Sequence, residues 1–110
     1  MNVLFDSLRK LELPKGDYAV FGSGPLFIRG IITNISDLDI ICRGSVWEKV
    51  KKVGALQYND DYDVAIVTLN GGQVTFGNRW GIDNFDIGAL IDDAEYIDKV
   101  PFVQLRHVVE

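Results

Sequence analysis

Cysteine, histidine, proline and positive charge are all scarce in this chain of 110 residues, and each scarcity excludes something. Cys42 is the single cysteine, so an intramolecular disulfide and a zinc site built from several cysteines are both excluded. A reducing cytoplasm is the expected location. Cys42 follows Ile40 and Ile41 and reads as a small buried hydrophobe rather than a reactive thiol. Lys and Arg total 11 against 16 Asp and Glu, a net charge of −5. That balance argues against broad attraction to DNA, RNA or anionic membrane, and it leaves a small nucleotide with its own metal compatible. No apolar run approaches the length of a bilayer span, and the first residues lack a basic stretch leading into an apolar core. A soluble chain with no membrane partner is expected. His107, the only histidine, lies where a terminal helix is expected from Leu105 to Glu110, and reads as a surface or helix-end residue rather than a base.

Hydrophobic residues supply 47% of the chain and charged residues 25%, so a packed core is expected, in one domain covering residues 1–110. The chain is organised around Tyr18 to Cys42. Tyr18-Ala19-Val20-Phe21 reads as a strand that breaks at Gly22-Ser23-Gly24-Pro25. A short helix is expected over Leu26 to Ile32, followed by a strand opening at Asp37-Leu38-Asp39 and continuing to Cys42. Gly22 and Gly24 permit sharp backbone geometry, Ser23 suits a helix N-cap and Pro25 suits the first helical turn. Free backbone N–H groups in such a turn attract phosphate. Asp37 and Asp39 are two apart, so in an extended segment both carboxylates project to one side, a seat suited to Mg²⁺ or Mn²⁺. A phosphate cradle beside a metal seat points to nucleotide chemistry.

These residues resemble a known pattern. Gly22-Ser23, thirteen further residues and then Asp37-Leu38-Asp39 with an apolar strand resembles the signature of the DNA polymerase β-like nucleotidyltransferase superfamily, in particular its small bacterial stand-alone domains. Gly22 to Gly30 is similar to that subgroup as a phrase, and Ala94 to Asp98 with Val100 to Val103 echoes the segment that closes such domains. The likeness covers most of the chain from Tyr18 onward. It implies an α/β (α+β) fold with a small mixed β-sheet and helices largely on one face. It also implies transfer of a nucleoside monophosphate from a nucleoside triphosphate to an acceptor hydroxyl, with Gly22, Ser23 and Arg29 binding the nucleotide and Asp37 and Asp39 holding the metal. Arg29 is equally suited to an ion pair with a nearby acid. Small domains of this kind are often encoded beside a helical partner protein, in arrangements like those of toxin–antitoxin pairs. The alternative is a catalytically weak or inactive module of the same fold that binds a nucleotide or a partner.

One departure bears on activity. The family usually carries a third carboxylate in an apolar-acid-apolar strand facing the first two, and the corresponding place here is Val74-Thr75-Phe76. Thr75 is neither a general base of ordinary strength nor a firm metal ligand. Either the register differs, or Asp83 or Asp86 reaches in from the following loop, or transfer is inefficient; Asp63 is a poorer substitute.

The remaining segments read as scaffold. A helix with apolar Val3, Leu4, Leu8, Leu11 and Leu13 is expected to pack on the sheet and to stop at Pro14-Lys15-Gly16-Asp17. Ser45 is expected to cap a helix from Val46 to Val53, with Lys49, Lys51 and Lys52 on its solvated face rather than forming a phosphate patch. Leu56 to Leu69 and Gln73 to Trp80, joined by Asn70-Gly71-Gly72, read as a hairpin. The acidic cluster Asn59 to Asp63 reads as a solvated turn rather than a cation site. Arg79 and Trp80 suit a phosphate and a base, although Trp80 fits better as a cap over the core. Loop and helix are expected from Ile82 to Asp98, and extended chain from Val100.

Overall fold

The computed structural model describes residues 3–14, 16–22, 24–59, 64–77, 87–97 and 100–104. In chain order these form α1 (Val3–Lys10), β1 (Tyr18–Phe21), α2 (Gly24–Ile28), β2 (Leu38–Cys42), α3 (Gly44–Val53), β3 (Ala55–Asn59) and β4 (Val64–Leu69), a 3-10 turn at Asn70–Gly72, then β5 (Val74–Gly77), α4 (Ile87–Asp92), β6 (Glu95–Ile97) and β7 (Val100–Phe102). The strands make one seven-stranded sheet in the order β3-β4-β5-β2-β1-β7-β6. The sheet is mixed: β2 runs parallel to β5 and β1 parallel to β7, and the other neighbours are antiparallel. Mixed α and β structure is therefore present as expected, with a sheet wider than the small one foreseen.

Alternation along the strands sorts side chains to two faces. Leu38, Ile40 and Cys42 of β2, Tyr18 and Val20 of β1, Val74 and Phe76 of β5 and Val67 of β4 join one buried cluster. That face is covered by Phe5 and Leu8 of α1, Phe27 and Ile28 of α2, and Val46 and Val50 of α3. The other face carries Ala19 and Ile41, which pack with Leu90 and Ile91 of α4 and with Val103. Helices thus lie largely on one face, and α4 is the exception among the described residues.

Phe5 sits at the centre of the larger cluster, fully buried, tilted against Phe102 at 5.6 Å and stacked on Phe27 at 5.9 Å between ring centroids. One ring thereby ties α1, α2 and β7 together. Polar side chains complete the scaffold: Lys49 donates through Nζ to the Leu11 carbonyl at 2.6 Å, which satisfies an acceptor just past the end of α1. Lys51 pairs with Glu48 at 2.8 Å and lies over the Trp47 ring, so both lysines serve the scaffold.

Several boundaries differ from the sequence reading, each for a local reason. The first helix ends at Lys10, before Pro14, where Glu12 turns to a φ of +51° and its N–H finds the Arg9 carbonyl at 3.1 Å. The helix expected to reach Ile32 stops at Ile28. There the Ile31 N–H reaches the Leu26 carbonyl at 2.9 Å and the Gly30 N–H the Phe27 carbonyl at 3.0 Å, with Gly30 at a φ of +77°. That is a Schellman cap, in which glycine takes the left-handed position without a Cβ clash. Ser45 does not cap α3; Arg43 holds the N-cap position without a side-chain cap, and the Ser45 hydroxyl donates to Asp17 Oδ2 at 3.1 Å. The hairpin at Asn70 to Gly72 is present, with Leu69 opposite Val74 and Thr68 opposite Thr75. Ala55–Asn59, ahead of the acidic cluster, is a strand of its own paired with β4. Glu95–Ile97 is also a strand, pairing with β7 where loop or helix was expected. The expectations for Asp60 to Asp63, Arg79, Trp80 and the helix from Leu105 with His107 lie outside the described residues.

Two outcomes follow from this packing. Phe5→Ala is expected to lower unfolding free energy by about 3–5 kcal/mol, the usual cost of deleting a buried phenyl ring, whereas Ile31→Ala, at a side chain 57% exposed, leaves it nearly unchanged. Chemical denaturation of both variants checks this. Burial pushes the Cys42 thiol up to about 12, so a thiol reagent at mildly alkaline pH is expected to leave native protein unlabelled and to react once denaturant is added.

Candidate functional site

The turn after β1 and the first residues of β2 are brought together by strand pairing. β1 and β2 run antiparallel with Phe21 opposite Asp39 and Val20 opposite Ile40. The end of β1 therefore lies against the start of β2, and Gly22 follows directly. Gly22 has a φ of +70°, and a Cβ built there would stand 3.2 Å from Asp39 Oδ2. Both facts favour glycine: the left-handed backbone is costly for other residues, and the carboxylate occupies the space a side chain would need. Gly24 is equally constrained, since a Cβ would meet Val20 Cγ1 at 2.3 Å. The turn is thus packed closely against Asp39 on one side and Val20 on the other.

Asp37 stands just outside β2 and is exposed, while Asp39, one residue inside the strand, is half-buried. Burial, with the neighbouring Asp37 charge adding to it, raises the Asp39 carboxyl above the ordinary range. No hydrogen-bond donor or cationic side chain among the described residues engages either carboxylate. Two neighbouring carboxylates without a cation of their own suit a hard divalent ion, for which one or two carboxylates plus substrate phosphates are a common set of ligands. The set stops at two: among the described residues no group of three or more His, Cys, Asp or Glu could hold a metal.

The register also resolves where Thr75 lies. β2 and β5 are parallel neighbours with Asp39 opposite Thr75, and β5 pairs with β4 so that Thr75 faces Thr68. Phe21, Asp39, Thr75 and Thr68 consequently form one row across four strands, on the face opposite the main core. Thr75 therefore lies beside Asp39 across the β2–β5 ladder, on the face opposite to Val74 and Phe76 as its apolar flanks predict. Asp39, Thr75 and Thr68 are each half-buried, so the row is open to solvent at its polar end. Thr68 was not singled out from the sequence; its place in the row follows from the hairpin pairing alone.

Of the expected nucleotide-binding residues, Ser23 lies outside the described residues; so do Asp83 and Asp86, the loop carboxylates weighed in place of a third strand acid. Arg29 is described, and its guanidinium has partners already: it donates to the Pro25 carbonyl at 2.9 Å and pairs with Glu95 of β6. The ion pair left open by the sequence is therefore formed. α2 itself has five residues, too short for much of a helix dipole, so any attraction for phosphate rests on the backbone N–H groups of the turn.

Arg43 fastens the opposite end of β2. It pairs with Asp17 and with Asp92, and donates to the carbonyls of Gly88 at 3.2 Å and Gly16 at 2.8 Å. This holds α4 against the β1–β2 face, below the row that carries Asp39.

Compared with models of known protein families, with curated proteins and with solved structures, the chain has no significant match. The site must be read from its own geometry.

The raised Asp39 carboxyl sets a pH dependence. Its proton is held more firmly in the folded chain than in the unfolded one, so between the two values the folded state carries more protons and stability falls as pH rises. Above the folded value the half-buried charge is fully developed and its cost complete. In metal-free buffer Asp39→Asn is therefore expected to melt at a higher temperature than wild type at pH 7, with the gap closing as pH falls through the carboxylate range. Thermal melts at several pH values check this; a variant less stable than wild type at pH 7 would mean that the charge has a stabilising partner.

Proposed function

We propose that the chain is a nucleotidyltransferase-like domain of the DNA polymerase β type, which binds a nucleoside triphosphate with Mg²⁺ and transfers its nucleoside monophosphate to an acceptor hydroxyl. The observation that carries the reading is the seating of a glycine turn against a half-buried carboxylate with a second carboxylate two residues away. Backbone N–H groups around Gly22 would bind phosphate oxygens, and the close approach of Gly22 to Asp39 would bring those oxygens to the carboxylates. Asp37 and Asp39 would hold the Mg²⁺, whose chemistry when bound is to neutralise phosphate charge and stabilise the departing pyrophosphate. Arg29 would contribute to phosphate binding only by leaving Glu95. The location supported by this reading is the cytoplasm; what the structure itself contributes is that no helix among the described residues is long and apolar enough to cross a membrane.

Thr75 favours a second reading. Opposite Asp39 it offers a hydroxyl where this chemistry uses a carboxylate, so the row supplies no base for the acceptor proton, and turnover is expected to be slow. In the limit the domain binds a nucleotide or a helical partner chain without transfer.

Titration with each nucleoside triphosphate in Mg²⁺, following binding and pyrophosphate release together, separates the two. Metal-dependent binding with slow release, both lost in Asp37→Asn, Asp39→Asn, is the expected result, and Thr75→Asp is expected to raise release by roughly a hundredfold, as a positioned base does. Binding without release in either protein would select the module, release of inorganic phosphate would select a hydrolase, and absence of binding would overturn the reading.

A further inference from the structure

The row that carries Asp39 does not end at Thr68. Ala55 of β3 lies opposite Thr68, as Thr68 lies opposite Thr75 and Thr75 opposite Asp39, so the row continues onto a fifth strand. There it meets a groove of about 550 Å³, within the usual size of a small-molecule site. Ala55, Gln57 and Thr68 line the groove, and alternation puts their side chains on the face that carries Asp39. Thr68 therefore belongs to both the row and the groove. Gly71 and Gly72 of the hairpin turn also line it, and a Cβ at either would meet nothing within 4 Å, so nothing crowds that side. A Cβ at Gly54, another lining residue, would stand 2.5 Å from Val67 Cγ1, so the end of α3 is held tightly against β4.

The chemistry of the groove is narrow. None of the residues lining it carries an ionisable side chain. A charged group held there would lose water without gaining a partner. The Gln57 carboxamide and the Thr68 hydroxyl can each both donate and accept, and among the described residues neither is engaged by a side-chain hydrogen bond. Ala55 adds apolar surface beside them. Uncharged groups that donate and accept together, on a partly apolar frame, are the hydroxyls of a sugar or polyol. Neighbouring strands lie about 4.8 Å apart, so Thr68, two strands from Asp39, is about 10 Å from it. A molecule of disaccharide length seated at Gln57 and Thr68 spans that distance along the row.

We propose that this groove is the acceptor site, seating an uncharged, polyhydroxylated molecule of disaccharide size so that one of its hydroxyls reaches past Thr75 to the carboxylates. This assignment rests on the nucleotidyltransferase reading and gives the acceptor its chemical class. In the transfer, the acceptor oxygen bonds to the α-phosphorus of the nucleotide while the bond from that phosphorus to its bridging oxygen breaks. Pyrophosphate leaves with that oxygen and its electron pair, and the hydroxyl proton passes to water, since Thr75 is no base.

Amide resonances of the full chain, followed during titration with two neutral disaccharides, maltose and N,N′-diacetylchitobiose, test this. Maltobionate and deacetylated chitobiose are their anionic and cationic counterparts. The neutral pair is expected to shift Gln57, Thr68, Gly71 and Gly72 saturably, and each charged counterpart to bind about tenfold more weakly or worse. Thr68→Val, which keeps the shape and removes the hydroxyl, is expected to weaken neutral binding by about tenfold. Ala55→Phe, at an exposed position, fills the groove and is expected to abolish it, with the remaining resonances reporting that the fold is kept. A separate titration of the same protein with ATP and Mg²⁺ reads the Gly22 and Asp39 amides. Failure there falls on the nucleotide reading, whereas the saccharide titrations judge the groove alone. Absence of saturable shifts with both neutral disaccharides, shifts centred away from the groove, or equal binding of a charged counterpart would each overturn the proposal.

Discussion

The antiparallel pairing of β1 with β2 is the constraint on which the rest of the structure depends. Both strands are largely buried, and each carries a further parallel neighbour, β7 on β1 and β5 on β2. Its register sets Phe21 opposite Asp39, and from that single fact follow the contact of Gly22 with Asp39 and the row continued by Thr75 and Thr68. Sliding β2 by one residue would bury Asp39 among Val20, Phe76 and Val74 and expose Leu38 and Ile40, a large loss of apolar burial. Hydrophobic alternation therefore fixes the site's geometry without any contribution from the site itself. Arg43 reinforces the pairing from the far end, where its contacts with Asp17 and Asp92 hold the turn before β1 and the end of α4 against β2.

The site pulls in the other direction. A half-buried carboxylate beside a second one, with no described cation paired to it, is less stable than an amide or an apolar residue would be there. Local cost without local compensation is common where a chain binds something charged. The cost is modest because Asp39 lies at the solvent end of the row, while the face below it is closed by Ile41, Leu90 and Ile91.

Much of this was legible in the sequence wherever signals were local. The apolar run Tyr18 to Phe21 and its glycine break gave β1 at its observed bounds, and Asn70-Gly71-Gly72 between two apolar arms gave the β4–β5 hairpin. Apolar flanks were enough to set Thr75 on the opposite face from Val74 and Phe76, and the register then put it beside Asp39. What escaped depended on distant partners. Phe5 carries no signal of its own importance, since Phe27 and Phe102, which surround it, are far along the chain. Ile31 and Ile32 extended an apolar pattern past a glycine whose cap bonds form only in the folded turn. β6 is three residues long and becomes a strand through its pairing with β7. Thr68 entered the row only through cross-strand register, and Arg29 found Glu95 sixty-six residues away.

The measurement that tests the central claim most directly is the localisation of Mn²⁺ on the isotopically labelled protein by paramagnetic broadening of backbone amide resonances. If β1–β2 pairing builds a metal seat at the glycine turn, broadening will centre on Gly22, Leu38 and Asp39, extend to Thr75 across the β2–β5 ladder, sharpen in selectivity when a nucleoside triphosphate is added, and vanish in Asp37→Asn, Asp39→Asn. Broadening spread over the surface carboxylates, or centred elsewhere and unchanged in that variant, would contradict it.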